Sequence, residues 1–410
     1  MKTNEKDTKQ GVVPALRFPE FSEAGEWQPA SISALADATK GEQVNKIYLK
    51  PVGSYPVVNG GTQPSGYIEE YNTPAHTITI SEGGNSCGFV NIINTNFWCG
   101  GHCYAIREKK GIDKFFLYQL LKKEEPSIMK LRVGSGLPNI QLKDLKKHPT
   151  HIPCTQKEQQ KIADCLSSID ALIKTAENKL DELNAHKKGL MQQLFPAEGK
   201  TVPALRFPEF QNAGEWKKGP LFRIGEVLQG YGFPEKYQGK SLGKYPFYKV
   251  SDISKAVQTG CNFISKAANY IDDEELDILK IKTIPPGTTI FARIGEAIRL
   301  NRRIVTTQEC IVDNNTVGVK AIPENAIDLF VYYILLQVDL IDFAGGVVPA
   351  ITKSAIENIP IYCPPTKSEQ QKIADCLSSV DDLIIAQTNR LEALKAHKKG
   401  LMQQLFPNIE

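Results

Sequence analysis

No stretch of this chain approaches the roughly 20 consecutive apolar residues that span a membrane, and its polar opening lacks the apolar core of a signal peptide. A cytoplasmic protein without a membrane partner is expected. The six histidines show no partnered spacing, and the nine cysteines include no paired CxxC of a zinc ribbon. The one cluster resembling a metal site, Cys87, Cys99, His102 and Cys103, reads better as buried thiols, so no metal is expected. Charge of one sign is also missing: 49 basic against 46 acidic residues leave a net +3, which neither demands nor excludes nucleic acid.

Catalytic signatures are absent as well. There is no G-x-G-x-x-G fingerprint, no G-x-S-x-G elbow and no H-E-x-x-H. Gly239-Lys240-Ser241 and Gly199-Lys200-Thr201 look like the ends of phosphate loops, but Pro234 and Leu194 stand where the first glycine is required. Cys363-Pro364-Pro365-Thr366 falls short at both ends of an amino-methyltransferase signature. No catalytic residue is assigned.

What the chain has is repetition. EQQKIADCLSS runs from Glu158 to Ser168 and returns from Glu369 to Ser379; AHKKGLMQQLFP runs from Ala185 to Pro196 and returns from Ala396 to Pro407, at the same offset. VPALRFPEF begins at Val13 and at Val202, each time followed by GEW. The chain of 410 residues is thus a tandem duplication, long enough for two domains of about 130 to 150 residues. Frames held alike around diverged modules suggest two parts doing the same job on different targets.

The copied segments carry a heptad stripe: Ile162, Leu166, Ile169, Ile173, Ala176, Leu180, Leu183, Leu190 and Leu194, with a gap at Lys187. The second copy gives Ile373, Leu377, Val380, Ile384, Leu391, Leu394, Leu401 and Leu405, interrupted at Gln387 and Lys398. A stripe sustained over more than four heptads is satisfied by packing along a partner helix. Thr155 and Ser368 are candidate N-caps and Pro196 and Pro407 close the ends, giving rods of about 36 residues, or about 54 Å. The spacing predicts an antiparallel, pseudo-two-fold pair. Cys165 and Cys376 sit at matching points of it as small hydrophobes.

Between the frames, YPVV at Tyr55, TITIS at Thr77, YPFYKV at Tyr245, TTIFARI at Thr288 and NTVGVKAI at Asn315 read as strands, and Ile327 to Leu340 as a helix. The modules, Trp27 to about Pro153 and Trp216 to about Pro364, are mixed α/β with many loops. Both end alike, Gly134, Pro138 and Ile140 matching Gly345, Pro349 and Ile351. Cations gather at Arg107, Lys109, Lys110, Lys122, Lys123, Lys130 and Arg132, and again at Arg293, Arg299, Arg302 and Arg303 around Asn301. Arginine can bond guanine bidentately and any cation can hold phosphate.

Lead phrase, variable module and heptad helix opening with EQQKIADCLSS and closing with KKGLMQQLFP, all given twice, resemble the DNA-specificity subunit of type I restriction-modification systems. The resemblance covers nearly the whole chain. It implies an α/β (mixed α+β) pair of target-recognition domains in tandem, joined by two long antiparallel coiled-coil helices. The expected boundaries are a polar tail at 1–12, recognition domains at 13–153 and 201–364, a central helix at 154–200 and a terminal helix at 365–410. It further implies double-stranded DNA as target, each domain reading one half of a split asymmetric site and the helices setting the gap. The implied partners are two methyltransferase subunits that bind S-adenosylmethionine and methylate adenine, and motor-nuclease subunits that use ATP and Mg. None of those cofactors belongs to this chain. Residue type and loop context nominate Asn59, Gln63, Lys130 and Arg132 in module one and Lys249, Arg293, Arg299, Asn301 and Arg302 in module two as DNA contacts. Two other classes stay open, an unrecognised DNA methyltransferase or nuclease and a protein-protein scaffold of a DNA-processing complex.

Overall fold

The expected strand runs fold as strands: Tyr55–Val58, Thr77–Ser81, Tyr245–Tyr248, Thr289–Ala292 and Thr316–Ala321. The computed structural model describes residues 12–134, 136 and 138–407. Of the polar tail, residues 1–11 lie outside the described residues. No helix among those described is long and apolar enough to cross a membrane. The chain divides into two compact units, one from its beginning to Thr175 together with the residues from Glu392 onward, the other Ala176–Leu391.

In the first unit a four-stranded antiparallel sheet has the order Ala36–Lys40, Cys103–Glu108, Thr77–Ser81, Val90–Ile93. A second sheet sets Tyr55–Val58 antiparallel to Tyr67–Ile68 and parallel to Trp98–Cys99. Strands Gln28–Ser31 and Pro149–Ile152 pair where the chain enters and leaves the module. A helix over Lys114–Met129, not anticipated from the sequence, starts where Asp113 accepts the Phe116 N–H (2.8 Å) and buries Phe116, Leu117, Leu120 and Leu121.

The second unit repeats this plan with a different sequence. Gly225–Gln229, Thr316–Ala321, Thr289–Ala292 and Arg303–Thr306 form the same sheet order, extended by the parallel edge strand Phe263–Ile264. Tyr270–Ile271, Tyr245–Tyr248 and Ile311–Val312 form the second sheet, and Lys217–Pro220 pairs with Pro360–Cys363. The expected helix from Ile327 to Leu340 is shorter, Asp328–Leu336. The Val338 carbonyl is taken by Arg303 (2.5 Å) and Asn301 (3.2 Å), and a 3-10 turn, Leu340–Phe343, follows.

The copied segments are helices of 39 residues each, Gln156–Leu194 and Lys367–Leu405, about 58 Å long. Thr155 caps the first through the Glu158 N–H (3.3 Å). The second is capped by Thr366, not by the expected Ser368: the Glu369 N–H reaches the Thr366 hydroxyl (3.3 Å), and Ser368 lies inside the helix. In the first unit Asp170 binds the Lys398 ammonium (2.6 Å), and Ile162 and Leu166 share a core with Leu405, so early residues of one helix meet late residues of the other. In the second unit Asp381 binds Lys187 (2.5 Å) and Gln387 donates to the Ala176 carbonyl (2.9 Å), again antiparallel. The three polar interruptions of the stripe are therefore pairing residues. All seventeen apolar positions of the two stripes are buried or half-buried, and Cys165 and Cys376 are half-buried.

The other copied phrases meet around one buried carboxylate per unit. Arg17 forks onto Glu158 (2.7 and 2.8 Å) and donates to the Gly25 carbonyl (2.6 Å), while the Trp27 indole N–H reaches the same carboxylate (3.3 Å). Arg206, Glu369, Gly214 and Trp216 repeat this at 2.7, 2.8, 2.7 and 3.1 Å. Trp27 packs on Phe116 and Phe406 at 5.9 Å each, and Trp216 on Phe195 and Phe330 at 5.9 and 6.1 Å. The adjacent glutamine secures the module helix, Gln159 accepting the Asp113 N–H (2.9 Å) and Gln370 the Ile327 N–H (3.3 Å). Each phrase is copied because each supplies one member of this network.

Candidate nucleic-acid interface

Among the described residues no three His, Cys, Asp or Glu side chains gather as a metal site would require. Cys87, Cys99 and Cys103 are buried free thiols, with burial pushing Cys87 up and the Cys99 hydrogen bond together with burial pushing Cys103 up. Lys240, in one of the two phosphate-loop look-alikes, is held by Asp272 (2.5 Å) and Glu275 (3.1 Å). What the modules do offer is loops at one end of the larger sheet.

In module two the connection from Thr289–Ala292, the middle strand of its five, to Arg303–Thr306 carries Arg293, Arg299, Asn301 and Arg302. Arg299 is exposed and paired with Glu296 (2.9 Å). Arg302 is half-buried, with no side-chain partner among the described residues. Arg293 is half-buried too, and its buried Nε lacks a hydrogen-bond acceptor among the described residues. Its backbone N–H bonds the Asn315 carbonyl (2.8 Å), which sets the exposed turn residues Asn314 and Asn315 beside it.

Asn301 faces inward. At φ +51° it is left-handed, its carboxamide oxygen takes N–H groups from Arg303 (3.0 Å) and Leu340 (3.0 Å), and its amide binds the Val338 carbonyl. It shapes the loop and is not offered to solvent. Arg303, buried beside it, is lowered to about 10 by burial. Lys249 precedes the helix Val250–Gln258, donates to Gln238 (2.6 Å) and lies 5.3 Å from the Phe233 ring centre, away from the arginine loop in sequence but close to the carboxyl of Asp313. Burial raises the Asp313 carboxyl.

In module one the corresponding connection, residues 82–89, is two residues shorter and holds no cation. Asn59 is half-buried and accepts the His102 N–H (3.0 Å) through its carboxamide oxygen, with its side chain against Gly100. Gln63 is exposed on the turn that follows, and Gly60 in that turn accepts the Ser86 hydroxyl (2.6 Å), bringing the turn to the 82–89 loop. Lys130 and Arg132 are exposed after the module helix, without side-chain partners among the described residues. Lys122 and Lys123 are paired with Glu125 and Glu124, and Lys109 with Asp37. His102, Asn314 and Asn315, not among the nominated contacts, are exposed on turns beside these loops.

The family described as "Type I restriction modification DNA specificity domain" matches residues 24–185 and again residues 214–396. The chain belongs to this family. It is 32% identical over 228 residues to a protein of Mycoplasma pneumoniae named as a type I specificity subunit, covering 54% of this chain and 59% of that one. A similarly named protein of Mycoplasma genitalium is 32% identical over 241 residues, covering 56% and 62%. The chain therefore spans about three fifths of the length of these two relatives. The crystal structure of a type I restriction-modification S subunit from M. genitalium matches the fold with a TM-score of 0.69 over 97% of this chain and 100% of that one, at 20% identity. The two specificity domains of the family are the two modules whose matching sheet orders are described above.

Proposed function

We propose that this chain is the non-catalytic DNA-reading subunit of a type I restriction-modification complex, each module reading one half of a bipartite, asymmetric site. The observation that carries this reading is a division within the fold. Buried frame residues, Arg17, Trp27, Glu158 and Phe406 and their counterparts Arg206, Trp216, Glu369 and Phe195, are identical, while the residues that the same sheets expose at their loops differ. A pair of readers on one duplex should sit about one helical turn, roughly 34 to 36 Å, apart, and helices about 58 Å long are long enough to set such a gap. The exposed faces of those helices, beside an inner stripe that is buried or half-buried, are the surface for the methyltransferase subunits. S-adenosylmethionine, ATP and Mg then belong to partner subunits, and the relatives' names support a complex of this type.

The test is turnover and motif mapping. The rigorously purified chain should neither cleave nor methylate DNA. With its methyltransferase partner and S-adenosylmethionine it should direct adenine methylation to a two-part motif with a fixed gap. Turnover by the chain alone, or a motif of one uninterrupted block, would overturn the assignment.

A further inference from the structure

A hairpin is docked alike in both modules, and in module two internal packing does not account for what it presents. Gly345 and Ala350 exchange backbone hydrogen bonds of 3.0 Å, and between them Val347 is fully exposed and Val348 is 62% exposed. In module one Val133 and Asn139 exchange bonds of 2.8 and 2.9 Å, with five residues between the pair where module two has four. Both hairpins are anchored by the buried Ile140 and Ile351 and docked by the same two bonds. Gly84 donates to Pro138 and Ile140 to Glu82 in one; Gly295 donates to Pro349 and Ile351 to Arg293 in the other. Gly84 and Gly295 share a positive φ, +76° and +86°, a backbone conformation that glycine adopts without strain.

Glu82 and Arg293 therefore occupy one structural place, with opposite charge. Glu82 is satisfied inside its module by Lys40 (2.5 Å) and Tyr104 (3.1 Å). Arg293 makes no side-chain bond among the described residues and has a buried Nε without an acceptor, an arrangement that disfavours the free fold until an acceptor is supplied. A protein partner common to both halves would meet the same chemistry twice. A frame held constant while the charge at its centre inverts suits a reader of different bases.

Resting on the DNA-reading function above, we propose that the Gly345–Ala350 hairpin and Arg293 form the base-contacting element of module two. The Arg293 guanidinium donates to a guanine edge, and Val347 meets the C5 methyl group of a thymine.

The test is competition binding by the full chain with its methyltransferase partner, on duplexes carrying the mapped motif with single substitutions. Arg293→Ala and Arg293→Lys, the latter keeping charge but not the fork, should each lose on the order of ten- to a hundredfold, confined to one guanine position of the module-two half-site. Replacing one thymine of that half-site by uracil should weaken wild type severalfold and leave Val347→Ser unaffected. Val347 is wholly exposed, so its replacement cannot report unfolding. Arg293 variants that weaken all duplexes evenly or not at all, or a Val347→Ser that still distinguishes thymine from uracil, would overturn the assignment of this element while wild-type selectivity stands. A wild-type complex with no preference for the motif over scrambled duplex would overturn the DNA-reading function itself.

Discussion

The buried carboxylate at Glu369 receives three donors on two oxygens, two from Arg206 at 2.7 and 2.8 Å and one from Trp216 at 3.1 Å, with the glutamate side chain 1% and the arginine 7% exposed. Glu369→Met keeps roughly the length of the side chain but removes both acceptors and leaves the guanidinium unpaired. Removing one member of a buried pair costs about 3 to 5 kcal/mol. Arg206→Met should cost about as much, because it strands the anion. In the double variant Arg206→Met/Glu369→Met no charge remains buried and only the Trp216 indole N–H lacks an acceptor, a cost of about 1 to 3 kcal/mol. The double should therefore be more stable than either single, with a coupling of at least about 3 kcal/mol. Urea unfolding of the four proteins measures this, and the same cycle at Arg17 and Glu158, where the arginine distances are equal, should return similar values. Singles costing under about 1 kcal/mol, the range of exposed pairs, or additivity within about 0.5 kcal/mol would refute the claim that this carboxylate holds each module to its frame.

Truncating the stacked rings, Phe195→Ala in the second unit and Phe406→Ala in the first, should each cost about 3 to 5 kcal/mol in equilibrium unfolding. Lys187→Met should destabilise more than Lys398→Met, because Lys187 leaves Asp381 at 5% exposure without its cation whereas Asp170 is 36% exposed; about 1 to 3 against less than 1 kcal/mol is expected, read from the same unfolding curves. Inserting one heptad after Leu180 and after Leu391 adds about 10 Å to each helix and should lengthen the gap of the mapped methylation motif by about three base pairs with both half-sites retained; an unchanged gap at full activity contradicts the ruler role.

The helices, the strand runs and the duplication were readable because each is a local periodicity: the stripe from Ile162 to Leu194, the alternation of TITIS, the verbatim phrases. Polar breaks in that stripe were not interpretable from one strand of pattern, since Lys187 and Lys398 make sense only once Asp381 and Asp170 face them. The helix Lys114–Met129 escaped notice because Pro126 and the charged run Lys122 to Glu125 interrupt its apolar face. Contact residues were least legible. Asn59 and Asn301 are of a residue type that reads bases, and their side chains also bind backbone groups far away in sequence, at His102 for one and at Val338 and Leu340 for the other. Side-chain type cannot distinguish a loop residue offered outward from one that holds the loop in shape.

The frame also sets what a foreign module must bring. With Arg17, Glu158, Gln159, Asp170 and Phe406 supplied by the host, a module grafted in place of Trp27 to Pro153 needs the indole N–H for Glu158, a ring where Phe116 packs, a free N–H at the start of its helix for Gln159, and a donor for Asp170. Module two meets the same demands with different chemistry at the last point: where Gln119 gives its amide to Asp170 (2.8 Å), Tyr333 gives its hydroxyl to Asp381 (2.6 Å). Burial together with that carboxylate pushes the Tyr333 phenol up, so it stays a donor at neutral pH. Residues 216–364 should therefore fold when placed between the first lead phrase and the first helix. The resulting chain should direct methylation to a motif whose two parts are both the module-two half-site, as mapped by sequencing modified adenines. Changing the tyrosine equivalent to Tyr333 in the grafted copy to phenylalanine should destabilise the graft by about 1 to 3 kcal/mol without altering the bases read, because that hydroxyl serves the frame. A grafted chain that folds but still methylates the original module-one half-site would show that the bases are read outside the exchanged residues.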